Sequence, residues 1–245
     1  MKEATVIIER VRQVSETHQH LELAVEPWLA EIKPGQSVLA RTTQTWEPYL
    51  REQWHPVAAT RTHLTVERPM TTTYHPGTLV SLLGVVGQPY RFRKTLRNVL
   101  LLAHEAEPTP LLMMIDLLLK NRVSVTLVLL GDAAHYATSH LPPEVEILTG
   151  DHDMNWANRV TTIGWADQVF AVVPQADEHG HFRRLYEMFT QLRADIPHGH
   201  LWGIFRPPLP CGIGACSSCM VRVKGENLPA CTQGPAFDLS LIIGG

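Results

Sequence analysis

The chain has 245 residues, of which 44% are hydrophobic and 18% charged, and its formal net charge at pH 7 is −3. This composition is typical of a folded protein with room for two or three domains, and it excludes a disordered chain. The small negative charge gives no reason to expect a nucleic-acid partner, and no apolar run is long enough for a membrane span. The N-terminal stretch MKEATVIIER has acidic residues where a signal peptide would be apolar, so we expect a cytoplasmic protein.

The N-terminal part, residues 1–93, predicts an antiparallel β-barrel. Short alternating or β-branched runs are separated by Pro/Gly turns, and no helix pattern stands out. We predict strands at 4–10, 19–25, 37–41, 55–60, 63–68 and 78–84.

The central part, residues 94–205, predicts a Rossmann-like α/β domain with a parallel sheet. Apolar strand patterns alternate here with helix patterns, as in open parallel sheets. We predict strands at 98–103, 123–131, 145–148, 167–174 and 200–205, and helices at 110–121 and 181–195. The last segment, 206–245, shows little regular structure and carries all the cysteines.

The cysteine segment CGIGACSSCMVRVKGENLPAC predicts a [2Fe–2S] cluster. Its spacing is C-x4-C-x2-C-x11-C, and the first three cysteines match the plant-type arrangement. Gly212 and Gly214 let the chain wrap closely around a cluster and leave backbone amides free to face sulfur. A hairpin around Lys224–Gly225 would return the chain to the fourth ligand. The predicted ligands are Cys211, Cys216, Cys219 and Cys231.

Zinc and disulfides are the alternatives for these thiols. Structural zinc usually takes two C-x2-C pairs, and only Cys216 and Cys219 have that spacing. A cytoplasmic chain keeps its cysteines reduced, which disfavours disulfides.

Residues 210–238, PCGIGACSSCMVRVKGENLPACTQGPAFD, resemble the cluster segment of the dihydroorotate dehydrogenase electron-transfer subunits. That family belongs to the ferredoxin–NADP reductase superfamily, and KPGQSV (33–38) and LLGVVGQPYRF (82–92) resemble its barrel motifs. The resemblance implies an FAD-binding barrel, a nicotinamide-binding domain and a cluster. It also implies that electrons pass from NADH through FAD and the cluster to a flavin in a partner subunit.

The flavin motif of that family is altered in this chain. The family has an Arg-Pro-x-Ser-type stretch, whereas WHPVAA (54–59) places His55 at the arginine and Ala58 at the serine. An imidazole does not replace a guanidinium fork on a phosphate. The stretch 67–77 also lacks a Gly-x-Gly loop, so bound FAD stays open. The candidate FAD contacts are His55, Pro56, Val57, Gly84 and Gly87.

The stretch AHEAEPTP (103–110) argues against a nicotinamide site. The superfamily has a glycine run here, which lets the backbone approach a pyrophosphate, and this stretch has no glycine. Glu105 and Glu107 would also repel phosphates. We therefore expect the NAD(P) site to be lost, although two carboxylates near a helix N-terminus are also simply favourable.

Three His-x-His pairs remain, at 18/20, 179/181 and 198/200, and the sequence assigns them no role. Without a nucleophile triad or a phosphate loop, we assign no catalytic residue. We expect an electron-transfer subunit that relays single electrons to or from a partner oxidoreductase. The alternatives are a non-catalytic docking or redox-sensing subunit and a complete NADH-dependent flavin/iron–sulfur reductase.

Overall fold

The computed structural model describes residues 1–42 and 49–244. Its N-terminal part is a nearly closed antiparallel sheet of seven strands in the order β4-β3-β7-β1-β2-β6-β5. The strands are β1 (Lys2–Gln13), β2 (His18–Ala24), β3 (Ser37–Arg41), β4 (Glu52–Trp54), β5 (Pro56–Ala59), β6 (His63–Pro69) and β7 (Leu79–Val86). The one-turn helix α1 (Pro27–Ala30) lies between β2 and β3. The predicted barrel is confirmed.

Alternation along the strands builds the barrel core. In β1 the side chains of Ala4, Val6 and Ile8 are buried, whereas those between them are exposed, as expected when successive side chains point to opposite faces. Trp54 is fully buried and meets Tyr74 edge to face, with ring centroids 5.9 Å apart. Both rings belong to the buried core of the barrel.

The second sheet has six strands in the order β10-β9-β8-β11-β12-β15. They are β8 (Asn98–His104), β9 (Ser124–Leu130), β10 (Glu146–Gly150), β11 (Gln168–Val172), β12 (Leu201–Ile204) and β15 (Ala236–Asp238). The helices of this region are α2 (Thr109–Lys120), α3 (Arg159–Trp165) and α4 (Glu178–Leu192). The β8 strand is buried over its whole length after Asn98, because β9 and β11 pair with it in parallel on either side.

The C-terminal segment contains more regular structure than the sequence predicts. A hairpin of β13 (Met220–Val223) and β14 (Glu226–Pro229) turns at Lys224 and Gly225, as expected, and is followed by α5 (Ala230–Gln233). The β15 strand then pairs antiparallel with β12, so the sheet is mixed rather than purely parallel. Three residues are too few to show a strand period, which is why sequence patterns miss β15.

Aromatic packing and hydrogen bonds join the barrel to the α/β sheet. The Tyr90 hydroxyl donates to the Pro110 carbonyl at 2.9 Å, and the Tyr90 ring lies 5.2 Å from that of Phe170. The Arg93 backbone amide donates to Gln168. Among the residues that the structure describes, no helix has the length and apolar character needed to cross a membrane.

Substitution of Gly203 in β12 tests how tightly this strand packs against Phe182 and Leu239. A Cβ at this position would lie 2.7 Å from Leu239 Cδ2 and 3.0 Å from the Phe182 ring. We expect Gly203→Ala to lower the free energy of unfolding by about 1–3 kcal/mol, because a packed core does not accept extra volume. Urea denaturation would measure this change.

Gly164 in α3 supplies the matched control, since a Cβ there would meet nothing within 4 Å. Gly164→Ala should leave stability unchanged or raise it by up to ~1 kcal/mol, as alanine favours the helix. Equal effects of the two substitutions would contradict the packing described for β12.

Candidate functional site

The four cysteines lie in one loop-rich segment but differ in exposure. Cys219 and Cys231 are buried, Cys211 is half-buried and Cys216 is exposed, and none forms a disulfide. Cys219 directly precedes β13 and Cys231 lies in α5, and the Ala230 amide donates to the Cys219 carbonyl at 2.8 Å. The segment therefore has a buried half and a half that faces solvent.

Backbone geometry explains the small residues between the first cysteines. Gly212 and Gly214 have φ values of +67° and +79°, in the region that favours glycine. A Cβ on Gly212 would lie 3.1 Å from Met1 Sδ and 3.2 Å from Leu39 Cδ1. The Gly214 amide donates to Cys231 Sγ at 3.1 Å. These glycines let the loop fold against the barrel and direct an amide at a sulfur atom.

The thiols form two pairs. The backbone amides of Ile213 and Cys216, together with the nearby Cys216 thiol, lower the pKa of Cys211 to about 6. Burial, together with the thiol contact to Cys219, raises the pKa of Cys231 to about 12. Cys211–Cys216 and Cys219–Cys231 are therefore the two close pairs.

Two pairs are the arrangement that a two-iron cluster requires, because its two irons share four thiolates. A single zinc ion would need all four sulfurs around one point. In the described chain, the groups of three or more ligand atoms that lie within 4.8 Å of one another contain no cysteine. The donor set thus fits a [2Fe–2S] cluster better than zinc.

Hydrogen bonds hold this segment between the barrel and the sheet. On the barrel side, the Gly87 amide donates to the Cys231 carbonyl at 2.9 Å, and Gln88 donates to Gly234 at 2.6 Å. On the other side, the Phe205 amide donates to the Pro235 carbonyl at 2.9 Å. Gly87, a candidate FAD contact, therefore lies against the cysteine segment.

The remaining candidate FAD contacts are spread over several places. His55 lines a cavity of about 260 Å³ between the barrel and the α/β sheet. Pro56 is buried, and Val57 lines a neighbouring cavity of about 440 Å³ beside α2. Gly84 packs against Val38, where a Cβ would lie 3.1 Å from Val38 Cγ1. The five residues do not converge on one cavity.

Two arginines that the sequence analysis did not select line the His55 cavity. Arg68 is the last residue but one of β6, and Arg206 follows β12. Their Nε atoms are buried and make no hydrogen bond within the described residues. The position of Arg206 just after a parallel strand is the signal that could have found it, because ligands bind at the carboxyl ends of such strands.

The buried position of His55 beside these two arginines lowers its pKa. Burial, with added repulsion from Arg206 and Arg68, lowers the pKa of His55 to about 3. His55 is therefore neutral at pH 7 and supplies no cation to the cavity.

The stretch after β8 places Glu105 at the carboxyl edge of the sheet. Glu105 has a φ of 53°, and its carboxylate accepts the Asp132 amide at 2.8 Å and contacts His152 Nδ1 at 2.5 Å. The carboxylate also lies directly over Gly131, where it would collide with any Cβ. Glu107 turns instead toward the barrel and contacts His18 Nε2 at 3.0 Å. Both carboxylates are bound to protein groups beside the start of α2.

Replacement of a buried cysteine tests the ligand set. We expect Cys219→Ser and Cys231→Ser each to lose the iron and sulfide of the anaerobically purified protein, because four thiolates are needed to hold the cluster. Iron and sulfide assays with the visible spectrum measure this loss. The exposed neighbour Ser218 gives the control, and Ser218→Ala should keep both; zinc in place of iron in the wild type would contradict the assignment.

The low pKa of His55 predicts an acid-side loss of stability. The unfolded chain, with an ordinary histidine pKa of 6.5, binds a proton that folded His55 does not take up until about pH 3, so stability falls as pH drops below 6.5. Between pH 7.5 and 5.5 this loss is about 1 kcal/mol, and His55→Gln should remove it. Urea unfolding at both pH values measures it, with the exposed His75→Gln as control. An unchanged pH dependence in His55→Gln would contradict this account.

Known proteins resemble the C-terminal segment at the level of sequence. The family model described as the iron–sulfur cluster binding domain of dihydroorotate dehydrogenase B matches residues 209–243. The electron transfer subunit of dihydroorotate dehydrogenase B (NAD(+)) from Streptococcus thermophilus is 40% identical over 50 residues, which are 19% of this chain and 20% of that protein. The same subunit from Streptococcus mutans is also 40% identical over 50 residues. The matched part thus spans about a fifth of the length of these curated relatives.

Solved structures resemble the chain at the level of fold. An NADH-dependent reduced ferredoxin-NADP oxidoreductase matches with a TM-score of 0.73 and 18% identity, covering 98% of this chain and 90% of that one. Phthalate dioxygenase reductase matches with a TM-score of 0.58 and 14% identity, covering 81% and 66%. The chain has the fold of the ferredoxin–NADP reductases, and its resemblance to the dihydroorotate dehydrogenase electron-transfer subunits is confirmed in the cysteine segment.

Proposed function

We propose that this protein is an electron-transfer subunit that passes single electrons, through a [2Fe–2S] cluster, to or from a partner oxidoreductase. The observation that carries the proposal is the position of the four cysteines, of which two are buried, one is half-buried and one is exposed. A bound [2Fe–2S] cluster supplies a carrier of one electron. The chain's part is to hold that group rigidly and to leave one side of it open.

The buried half of the segment provides the rigid hold. Cys219 and Cys231 are buried at the two ends of the β13–β14 hairpin, and the Cys231 backbone is hydrogen-bonded to Gly87 of the barrel. Backbone amides directed at Cys211 and Cys231 stabilise thiolates, which are the ligand form of cysteine. These groups fix the ligands before a partner arrives.

The solvent-facing half of the cysteine segment supports electron transfer to or from a partner. Cys216 is exposed, and the side chain of Ile213, three residues before it, is 55% exposed. A partner could cover this apolar loop and approach the cluster closely. A purely structural cluster would be enclosed, so this exposure favours the relay over a purely structural role.

The named relatives indicate which kind of partner to expect. Both curated relatives are described as electron transfer subunits of dihydroorotate dehydrogenase B. We therefore place the partner among dehydrogenase subunits that themselves contain a flavin. Four unpaired cysteines fit a reducing compartment, so we place the protein in the cytoplasm.

The carboxyl edge of the α/β sheet argues against the alternative of an independent NADH oxidoreductase. An iron–sulfur cluster cannot accept a hydride, so this activity would need both a nicotinamide site and a flavin. At the carboxyl edge of β8, the Glu105 carboxylate takes up the Asp132 amide and fills the space over Gly131. A pyrophosphate would meet a negative charge there instead of free amides.

Reduction of the purified protein tests the proposal. We expect two irons and two sulfides per chain and the uptake of one electron per chain in an anaerobic dithionite titration followed by EPR. NADH should leave the spectrum unchanged over minutes, since the edge of the sheet offers its phosphates a carboxylate. Dithionite supplies the positive control on the same sample.

Acid-released flavin, measured on that sample, shows whether the subunit carries a flavin beside its cluster. One flavin per chain would give the subunit both two-electron and one-electron chemistry, with the His55 cavity as its place. No flavin would leave a carrier of single electrons alone. Rapid reduction by NADH would overturn the relay in favour of the complete reductase, and a cluster that dithionite cannot reduce would favour a structural role.

A further inference from the structure

Three metal-ligating side chains meet where the barrel faces the α/β domain. His20 lies on β2, Glu67 on the neighbouring β6, and His140 in the loop after β9. Glu67 Oε2 is 3.2 Å from His20 Nε2 and 3.4 Å from His140 Nε2. All three ligand atoms lie within 4.8 Å of one another. Residues from distant parts of the chain thus direct ligand atoms at one point.

The Glu67 carboxylate is held firmly in this position. Its side chain is fully buried, and it accepts the Thr109 hydroxyl at 2.7 Å and the Tyr136 hydroxyl at 2.8 Å. Burial alone would raise the pKa of Glu67, but the hydrogen bonds that it accepts hold that pKa well below its usual range. A buried carboxylate is costly unless it is paired, and hydrogen-bonded carboxylates are typical of metal sites.

Two of the three spacings match those around a single metal ion. Ligands at 2.0–2.2 Å from a tetrahedral ion lie about 3.3 Å from one another. The two Nε2–Oε2 distances, 3.2 and 3.4 Å, lie on either side of this value, and they also allow both imidazoles to hydrogen-bond to Glu67 when no ion is bound. The two Nε2 atoms lie within 4.8 Å of each other. Two imidazoles and one carboxylate are the ligand set of open zinc and non-haem iron sites.

The site has an entrance. His20 and His140 form part of the wall of a cavity of about 280 Å³, and their side chains are 12% and 11% exposed. Glu22 and Asp116 also line this cavity, together with Arg12. Glu22 also lies 3.6 Å from Arg10, so the charges of two carboxylates and two arginines balance around this entrance.

We propose that His20, Glu67 and His140 bind one divalent first-row transition-metal ion, with its open positions toward this cavity. His20 and Glu67 lie 47 positions apart in sequence, on two strands of the barrel, and His140 belongs to the α/β domain. The ion would therefore join the barrel to the α/β domain. It therefore fixes the orientation of the two domains. This site gives a role to His20 in the first His-x-His pair, whereas its neighbour His18 contacts Glu107. The proposal does not depend on the cluster or on its partner.

Zinc titration of untagged protein that already holds its cluster tests the site. After dialysis against a chelator, the wild type should bind one Zn²⁺ per chain, measured by calorimetry and elemental analysis. Iron and sulfide are counted in each sample, so that zinc in the cysteine segment is recognised. Co²⁺ should bind at the same place without the strong absorption of a cobalt–thiolate bond.

Loss of one ligand should weaken zinc binding by about 100-fold or more, since even outer-shell changes cost 10–100-fold. Glu67→Gln and His140→Ala are the test variants; if Glu67→Gln does not fold by circular dichroism, His140→Ala and His20→Ala decide. His63→Ala is the matched control, because His63 contacts Glu9 at 2.8 Å on the barrel surface and belongs to no group of three ligands within the described chain. Absence of zinc binding in the wild type, or equal binding in His140→Ala, would overturn the proposal.

Discussion

The backbone around Cys231 is bonded to both halves of the molecule, and the position of the cluster depends on this double attachment. Gly87 of the barrel donates to the Cys231 carbonyl, and Phe205 of the sheet donates to Pro235 a few residues later. Since β15 then completes the edge of the sheet, the cysteine segment is part of the main fold and not an appended tail. This is why a segment with few regular elements can keep four ligands in place.

The sequence predicts the architecture because its signals are local. The buried run of β8, the strand of Ser37–Arg41 after a Pro/Gly turn and the hairpin at Lys224 all arise from patterns within a few residues. The cysteine site can also be predicted from the sequence, because the spacing of the four cysteines is itself the motif. The domain limits and the FAD contacts stay predictions, and the structure places His55 in the interdomain cavity and Gly87 against the cysteine segment.

The rest depends on contacts between distant residues, which no local pattern contains. His20, Glu67 and His140 come together only because β2 pairs with β6 and the α/β domain packs against both. Arg206 reaches the interdomain cavity only because β12 ends there. Isolated histidines and arginines in a sequence carry no sign of such convergence, so the fold must be known first.

The stretch after β8 shows that the sheet does not depend on a glycine-rich turn at its carboxyl edge. The parallel strands and the following helix α2 form, while Glu105 binds the Asp132 amide and His152 at the strand ends. Strand pairing and core packing maintain the sheet, and neither requires a nucleotide. The carboxyl edge is free to change as long as its polar groups find partners.

The pairing of β12 with β15 also has a consequence for cluster assembly. Trp202 lies opposite Asp238 in this pairing, so the chain between the two strands is a closed loop that contains all four cysteines. The β12–β15 pairing therefore contributes to the entropy cost of bringing the ends of the cysteine segment together. The stretches that the cluster itself must order lie between ends that the sheet holds.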